Sequence, residues 1–325
     1  MRLLVTGGAG YIGSIVASHL LAAGHEVVVL DNLERGHREA VPSGARLVVA
    51  DLLERDALAE VLKDGFDGVL HFAALALVGE SVSNPERYYR TNVGGTLNLL
   101  EAMVAAGVGR LVFSSTCAVY GQPDEVPISE DAPPRPVNAY GASKLATDYM
   151  IGHFCIAHDL GAVSLRYFNV AGASGHLGED HDPETHLIPN ILRAAKGTNP
   201  YVEIYGTDYP TPDGTAIRDY IHIDDLASAH LLALDAARPK EHQIFNLGNG
   251  SGFSVREVIA AAEVVTGAEI PTREAPRRPG DPPMLVAASQ RIRAGLGWDA
   301  FKPGLEEIVA DAWAFARSHP RGYSE

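Results

Sequence analysis

Tyr140 and Lys144 stand four residues apart and have the side-chain types of an acid/base pair. Positions i and i+4 share one face of a helix, so the phenol and the ammonium can meet. A free phenol has a pKa of about 10 and is a poor base at neutral pH. A neighbouring positive charge favours the phenolate. A proton acceptor lowered in this way is what hydride abstraction from an alcohol requires. The spacing alone is common by chance, and a surface tyrosine beside a solvated lysine gives the same letters. Two other segments give the pair its meaning: Phe113-Ser114-Ser115-Thr116 upstream, and Gly7-Gly8-Ala9-Gly10-Tyr11-Ile12-Gly13 at the start of the chain.

In the second of these, Gly8-x-Gly10-x-x-Gly13 follows the apolar run Leu3–Thr6 and opens the helical pattern Tyr11–Ala23. Glycine allows the tight turn, the close approach of backbone to a pyrophosphate, and the packing of helix on strand. The pyrophosphate then caps the helix N-terminus. Asp31 comes 18 positions after Gly13 and ends a second apolar run, Glu26–Leu30. A carboxylate there accepts hydrogen bonds from ribose hydroxyls and repels a 2′-phosphate, which favours NAD over NADP. Arg35 nearby reads as a solvated loop charge. The two motifs together imply a bound nicotinamide dinucleotide with an acid/base beside it.

Elements that could position these groups are visible in the pattern. Short β-branched runs at Arg2–Thr6, Glu26–Leu30, Arg46–Val49, Gly68–Phe72, Arg110–Ser115 and Ala162–Tyr167 alternate with helical patterns at Tyr11–Ala23, Arg55–Lys63, Pro85–Ala106 and Asn138–Asp159. Such alternation predicts an α/β fold with a Rossmann-type, doubly wound parallel sheet. Ligands sit at the carboxyl ends of its strands. After Tyr167 the alternation loosens. Ala171–Thr185 reads as a long loop, a length that is usually functional in a compact domain. Further loops are expected at Tyr209–Gly214 and Pro276–Pro283, and helices at Asp224–Ala237, Ser254–Thr266 and Gly304–Arg317. The division expected is residues 1–170 as a dinucleotide domain and 171–325 as a smaller mixed α/β substrate domain, with part of 218–250 returning to the first.

The 325 residues carry a net charge of −15, which argues against binding nucleic acid or an anionic membrane. An anionic small molecule is still admissible where a few arginines and backbone N–H groups converge. Cys117 and Cys155 have no metal-ligand spacing and read as small core residues. No apolar run reaches the roughly 20 residues of a membrane span, and Met1–Val5 reads as strand rather than signal peptide. A cytoplasmic location is expected. His176 and His181 raise the question of a metal, but neither spacing nor ligand set matches a known motif, so none is expected.

The chain resembles the extended short-chain dehydrogenase/reductase family, and within it the nucleotide-sugar 4-epimerases. The segments that carry the resemblance span nearly the whole chain: GGAGYIGS (7–14), DNL (31–33), HFAA (71–74), VGES (78–81), SSTCAVYG (114–121), YGASK (140–144), RYFNVAGA (166–173), YGTDYPTPDGTAIRDYIHIDDLA (205–227), NLGNG (246–250) and RRPGD (277–281). The resemblance implies NAD as cofactor and reversible inversion at carbon 4 of a UDP-hexose through a 4-keto intermediate. It implies that Gly7, Gly10 and Gly13 hold the pyrophosphate with Tyr11 and Ile12 at the helix start. Asp31 and Asn32 would meet the adenosine ribose, Asp51 and Leu52 would flank adenine, and Phe72, Ala73, Ala74, Asn92 and Ser114 would contact the cofactor. Tyr140 would be the acid/base, Lys144 would lower its pKa and bind the nicotinamide ribose, and Tyr167 would pack near the nicotinamide with Phe168. Thr116, where many members have serine, would bridge to the sugar. Asn169, His186, Leu187, Tyr205, Arg218, Arg278, Asp281 and Leu285 would form the UDP-sugar site. Guanidinium forks suit a diphosphate.

Three positions depart from the family pattern. Ala76 replaces a common lysine, His186 replaces asparagine, and Leu285 stands where members carry either tyrosine or small residues. Other activities on the same fold are a nucleotide-sugar dehydratase, an epimerase of UDP-N-acetylglucosamine or a UDP-pentose, and a non-catalytic NAD-binding protein. A dehydratase needs an acidic pair after Thr116, where this chain has Cys117-Ala118; non-catalytic members typically lose the tyrosine or the lysine, and both are present. A homodimer is expected through Pro85–Ala106 and Asn138–Asp159, which carry apolar residues on more than one face, including Leu97, Leu100, Val104, Met150 and Phe154.

Overall fold

The computed structural model describes residues 1–278 and 280–323. In chain order the strands are β1 (Arg2–Thr6), β2 (Glu26–Asp31), β3 (Arg46–Val49), β4 (Gly68–His71), β5 (Arg110–Thr116), β6 (Gly161–Tyr167), β7 (Asn169–Ala171), β8 (Val202–Tyr205), β9 (Ile217–His222), β10 (His242–Leu247), β11 (Gly252–Ser254), β12 (Thr272–Ala275), β13 (Met284–Leu285) and β14 (Pro320–Tyr323). The helices are α1 (Tyr11–Ala22), α2 (Arg55–Leu62), α3 (Val78–Ser83), α4 (Pro85–Tyr88), α5 (Thr96–Ala106), α6 (Ala139–His158), α7 (Leu187–Ala195), α8 (Ile223–Ala236), α9 (Val255–Thr266), α10 (Gln290–Leu296) and α11 (Leu305–Ser318).

Seven strands form a parallel sheet in the order β10-β6-β5-β4-β1-β2-β3. This is the doubly wound arrangement expected from the alternation. Its strands read as unbroken apolar runs because both faces are buried. Along β1, Leu3 and Val5 pack with α1 and α8, while Leu4 packs with α2, α5 and α6. The strand order reverses beside β1, and a ligand crevice opens at such a switch point. A third core lies around α7, α9 and α11, with Ile188, Ile191, Ile259, Ile308 and Val309 at its centre. Two smaller sheets, β11-β9-β13 with β7 on β9, and β12-β8, surround it. No helix among the described residues is long and apolar enough to cross a membrane.

The structure adds elements the sequence pattern does not announce, α3, α7, α10 and β10 among them. The pattern Pro85–Ala106 is α4 and α5 joined by a π-helical turn, Tyr89–Gly95. Helix α7 had not been expected, because Pro189 stands in its first turn. Proline is tolerated there since the first N–H groups of a helix have no intrahelical partner. Of the apolar residues expected on more than one face of these helices, Leu100 is fully buried on the sheet side, and Met150 and Phe154 pack partly against the same core. The apolar groups on the outer surface of this region are Tyr89, Leu97, Tyr149 and Ile156, the last 73% exposed.

Candidate active site

The turn between β1 and α1 is shaped by contacts that leave no room for side chains. Gly7 has φ +72°, and a Cβ on it would lie 2.5 Å from the Ala73 nitrogen at the end of β4. On Gly13 a Cβ would lie 2.2 Å from the Gly7 carbonyl oxygen. Gly10 precedes α1 and no side chain caps the helix. Its first turn is therefore open to an anion. At the end of β2 the Asp31 carboxylate is fixed by two backbone donors, Ala9 N–H at 3.0 Å and Leu33 N–H at 2.9 Å. Burial raises its pKa and those two N–H groups oppose the rise. Asn32 donates to Asp51 at 2.7 Å, joining the ends of β2 and β3.

A cavity of about 510 Å³ runs from this turn along the carboxyl ends of the strands. It brings together Gly7, Gly10, Tyr11, Ile12, Gly13, Asp31, Asn32, Asp51, Leu52, Phe72, Ala73, Ala74, Ser114, Thr116, Tyr140, Lys144, Tyr167, Asn169, His186 and Leu187. The glycine turn and the Tyr140–Lys144 pair thus share one cavity although about 130 residues separate them. An open helix start, a fixed acceptor at the end of β2 and an apolar wall at the end of β4 fit a dinucleotide.

Tyr140 and Lys144 lie in the first two turns of α6, which Asn138 caps by accepting the Gly141 N–H at 2.8 Å. Burial pushes the Tyr140 phenol up to about 12, and a hydrogen bond with Thr116 opposes it. Burial pulls the Lys144 ammonium down to about 7, with Asp148 one turn on opposing that. Lys144 Nζ donates to the Ser114 carbonyl at 2.8 Å and stands 4.8 Å from the Phe113 ring centre. The sequence reading had Lys144 lowering the phenol pKa. In the structure Thr116 is the side chain that lowers the Tyr140 phenol pKa, and burial outweighs it. Tyr167 donates to the Ser114 hydroxyl, fixing the end of β6 against β5.

Six expected residues do not line this cavity. Asn92 is buried behind it, bonded to both the N–H and the carbonyl of Leu75 and to Ser143, so it holds the wall rather than forming it. Tyr205, Arg218, Arg278, Asp281 and Leu285 form a second group. Arg218 pairs with Asp281, Arg278 stacks 4.0 Å over the Tyr205 ring, and Leu285 stands opposite Arg218 where β13 pairs with β9. This group adjoins the cavity through β9, where Tyr220, two residues from Arg218, lines the wall. Leu285 also packs against the cluster containing Cys117 and Phe168.

Sequence reasoning missed the cavity's mouth. Arg35, read as a solvated charge, lines the cavity and donates to the Asp182 carbonyl from the 171–186 loop. His37 Nε2 lies 2.9 Å from the Asp180 carbonyl oxygen, and the Tyr11 hydroxyl donates to Gly172 at 2.8 Å. These contacts span more than 140 residues of chain, and no local signal announces them.

Fold and site define a dinucleotide-binding α/β protein with a tyrosine–lysine pair of the kind used in alcohol–ketone chemistry. Residues 3–248 match the NAD dependent epimerase/dehydratase family, and the chain belongs to that family. It is 56% identical over 326 residues to a UDP-glucose 4-epimerase of Streptomyces lividans, covering 100% of this chain and 98% of the relative. It is 54% identical over 325 residues to a UDP-glucose 4-epimerase of Corynebacterium glutamicum, covering 98% of each. A crystal structure of UDP-glucose 4-epimerase from Brucella ovis in complex with NAD superposes with a TM-score of 0.93 at 44% identity, covering 97% of this chain and 98% of that one.

Proposed function

We propose that this protein catalyses reversible, NAD-dependent inversion at carbon 4 of a UDP-hexose, interconverting UDP-glucose and UDP-galactose. The observation that carries the reading is the presence of Thr116, Tyr140 and Lys144 on the wall of the same cavity as the Gly7–Gly13 turn. Asp31 and Asn32 hold the adenosine ribose, with Asp51 and Leu52 about the adenine. Phe72, Ala73, Ala74, Ser114 and Tyr167 line the nicotinamide end. Bound NAD supplies the hydride acceptor and the positive charge that favours the phenolate. Tyr140 takes the proton of the sugar's 4-hydroxyl, and Thr116 relays between sugar and phenol. Lys144, anchored by Ser114, orients the ribose and adds positive charge. The 4-keto sugar turns within the site, the hydride is returned to the opposite face of carbon 4, and Tyr140 returns the proton to the carbon-4 oxygen. Asn169, Leu187, Tyr205, Arg218, Arg278 and Asp281 hold the UDP-sugar. In an acidic protein the paired arginine Arg218 gives the diphosphate local compensation.

Leu285 bears on sugar choice. It stands beside Arg218 with Cys117 and Phe168 behind it, and leucine leaves more room than tyrosine. UDP-glucose and UDP-galactose are the main substrates in this reading, with measurable turnover of UDP-N-acetylglucosamine. Added bulk selects against the larger ligand, so Leu285→Tyr should suppress turnover of the N-acetyl sugar more than that of the hexose. Parallel assays with UDP-galactose and UDP-N-acetylglucosamine, products resolved by chromatography, test both statements. UDP-glucose as the fastest-formed product supports the reading, and a pentose or N-acetyl sugar turned over faster counts against it. Equal losses on both sugars in Leu285→Tyr would remove Leu285 as a selectivity residue. The outer apolar residues Leu97, Tyr149 and Ile156 on α5 and α6 support a homodimer through these helices.

A further inference from the structure

Four ligating side chains of the 171–186 loop converge where that loop enters α7. One donor atom each from Glu179, His181, Glu184 and His186 lies within 4.8 Å of the others. His181 Nδ1 is 3.2 Å from a Glu179 oxygen and 3.9 Å from a Glu184 oxygen. His186 Nδ1 is 2.5 Å from Glu179 and 3.4 Å from Glu184. The two carboxylate side chains are only 8% and 1% exposed. Among the described residues, no lysine or arginine lies within ion-pair distance of either. Two buried negative charges side by side need a positive charge held between them. A second cluster, His222, Asp224 and Asp311, shows the contrast: Lys302 Nζ already sits 3.1 Å from Asp224 and 2.7 Å from Asp311.

We propose that Glu179, His181, Glu184 and His186 bind one divalent transition-metal ion. Two imidazole nitrogens and two carboxylate oxygens form a donor set suited to Zn²⁺. Bonds of about 2.0–2.2 Å to one ion place its ligand atoms about 3–4 Å apart. Three of the four histidine–carboxylate distances already lie in that range, and the fourth needs only to lengthen. One ion neutralises both carboxylates and leaves both rings neutral. The sequence reading set a metal aside because the histidine spacing matched no motif. The missing ligands were the carboxylates, whose burial the sequence does not display, and His176, the other histidine considered, is exposed and stands outside the cluster. The ion's role is structural. It ties the loop to the start of α7 on the cavity wall, and through His181, whose ring stands edge-on to Tyr11 at 6.3 Å, to the start of α1.

Tag-free protein with its bound dinucleotide, stripped with a chelator and desalted, is titrated with zinc chloride by calorimetry. Metal retained after a second desalting is then measured by mass spectrometry. About one zinc per chain is expected, with an affinity about tenfold or more weaker in Glu179→Gln and in His181→Asn. Circular dichroism and retained dinucleotide report whether each variant folds. His181 is partly exposed, so His181→Asn keeps the test decisive if Glu179→Gln does not fold. No retained zinc in the wild type, or equal zinc affinity in the wild type and His181→Asn, would overturn the proposal and leave protonated imidazoles as the counter-charge.

Discussion

At the scale of single residues, Tyr140 is held where its proton can move. The phenol is half-buried beside Thr116 at the end of β5, with Lys144 one turn on and fixed to the Ser114 carbonyl. Burial alone drives the phenol the wrong way for a base, so its catalytic state depends on positive charge brought to the cavity. Tyr140→Phe keeps the ring volume and removes the oxygen. Turnover of UDP-galactose should fall by about 10²–10⁴-fold with dinucleotide content and circular dichroism unchanged. Lys144→Met should also be severe, since it removes both the added charge and the anchor on Ser114. Turnover near the wild-type level in either variant would remove the acid/base role. These two residues were legible in the sequence because their spacing is local. Arg35 was not, since its partner Asp182 lies 147 residues away. Asn92 was legible as a cavity residue only by resemblance, and the structure puts it one layer behind the wall.

At the scale of elements, the proposed Tyr140–Lys144 acid/base pair depends on where α6 begins. Asn138 caps the helix two residues before Tyr140, so a frayed first turn would move the phenol directly. Asn138→Ala should cost about 1 kcal/mol in a urea titration and lower kcat several-fold, with bound dinucleotide retained. Unchanged stability together with unchanged kcat would show that the cap does not set the phenol's position. The inner strands of the central sheet were legible because they are buried on both faces and read as apolar runs between glycine- and acid-rich turns; edge strand β10 was not. The strands of the second half are two to six residues long and pair across large separations, as Val202–Tyr205 does with Thr272–Ala275. Short strands with so few alternating positions carry almost no period, and α7 was hidden by its proline.

At the scale of the whole molecule, two halves of chain meet over one cavity. Arg35, His37 and Tyr11 from the dinucleotide side each bond the 171–186 loop, so the loop roofs the Gly7–Gly13 turn. The exposed apolar surface of α5 and α6 lies away from that cavity and is the face expected to pair. Light scattering at micromolar concentration should return the mass of two chains, and a monomer mass would exclude that pairing. A reaction that returns the hydride it removes consumes no cofactor, and a roofed cradle should retain it through purification. The most direct test is therefore to desalt the purified protein, add UDP-galactose alone, and follow UDP-glucose by chromatography while assaying the denatured protein for dinucleotide. Conversion to an equilibrium mixture without added cofactor, with NAD or NADH released on denaturation, is the expected result. No conversion with NAD supplied in excess, or NADP as the only dinucleotide released, would contradict the account.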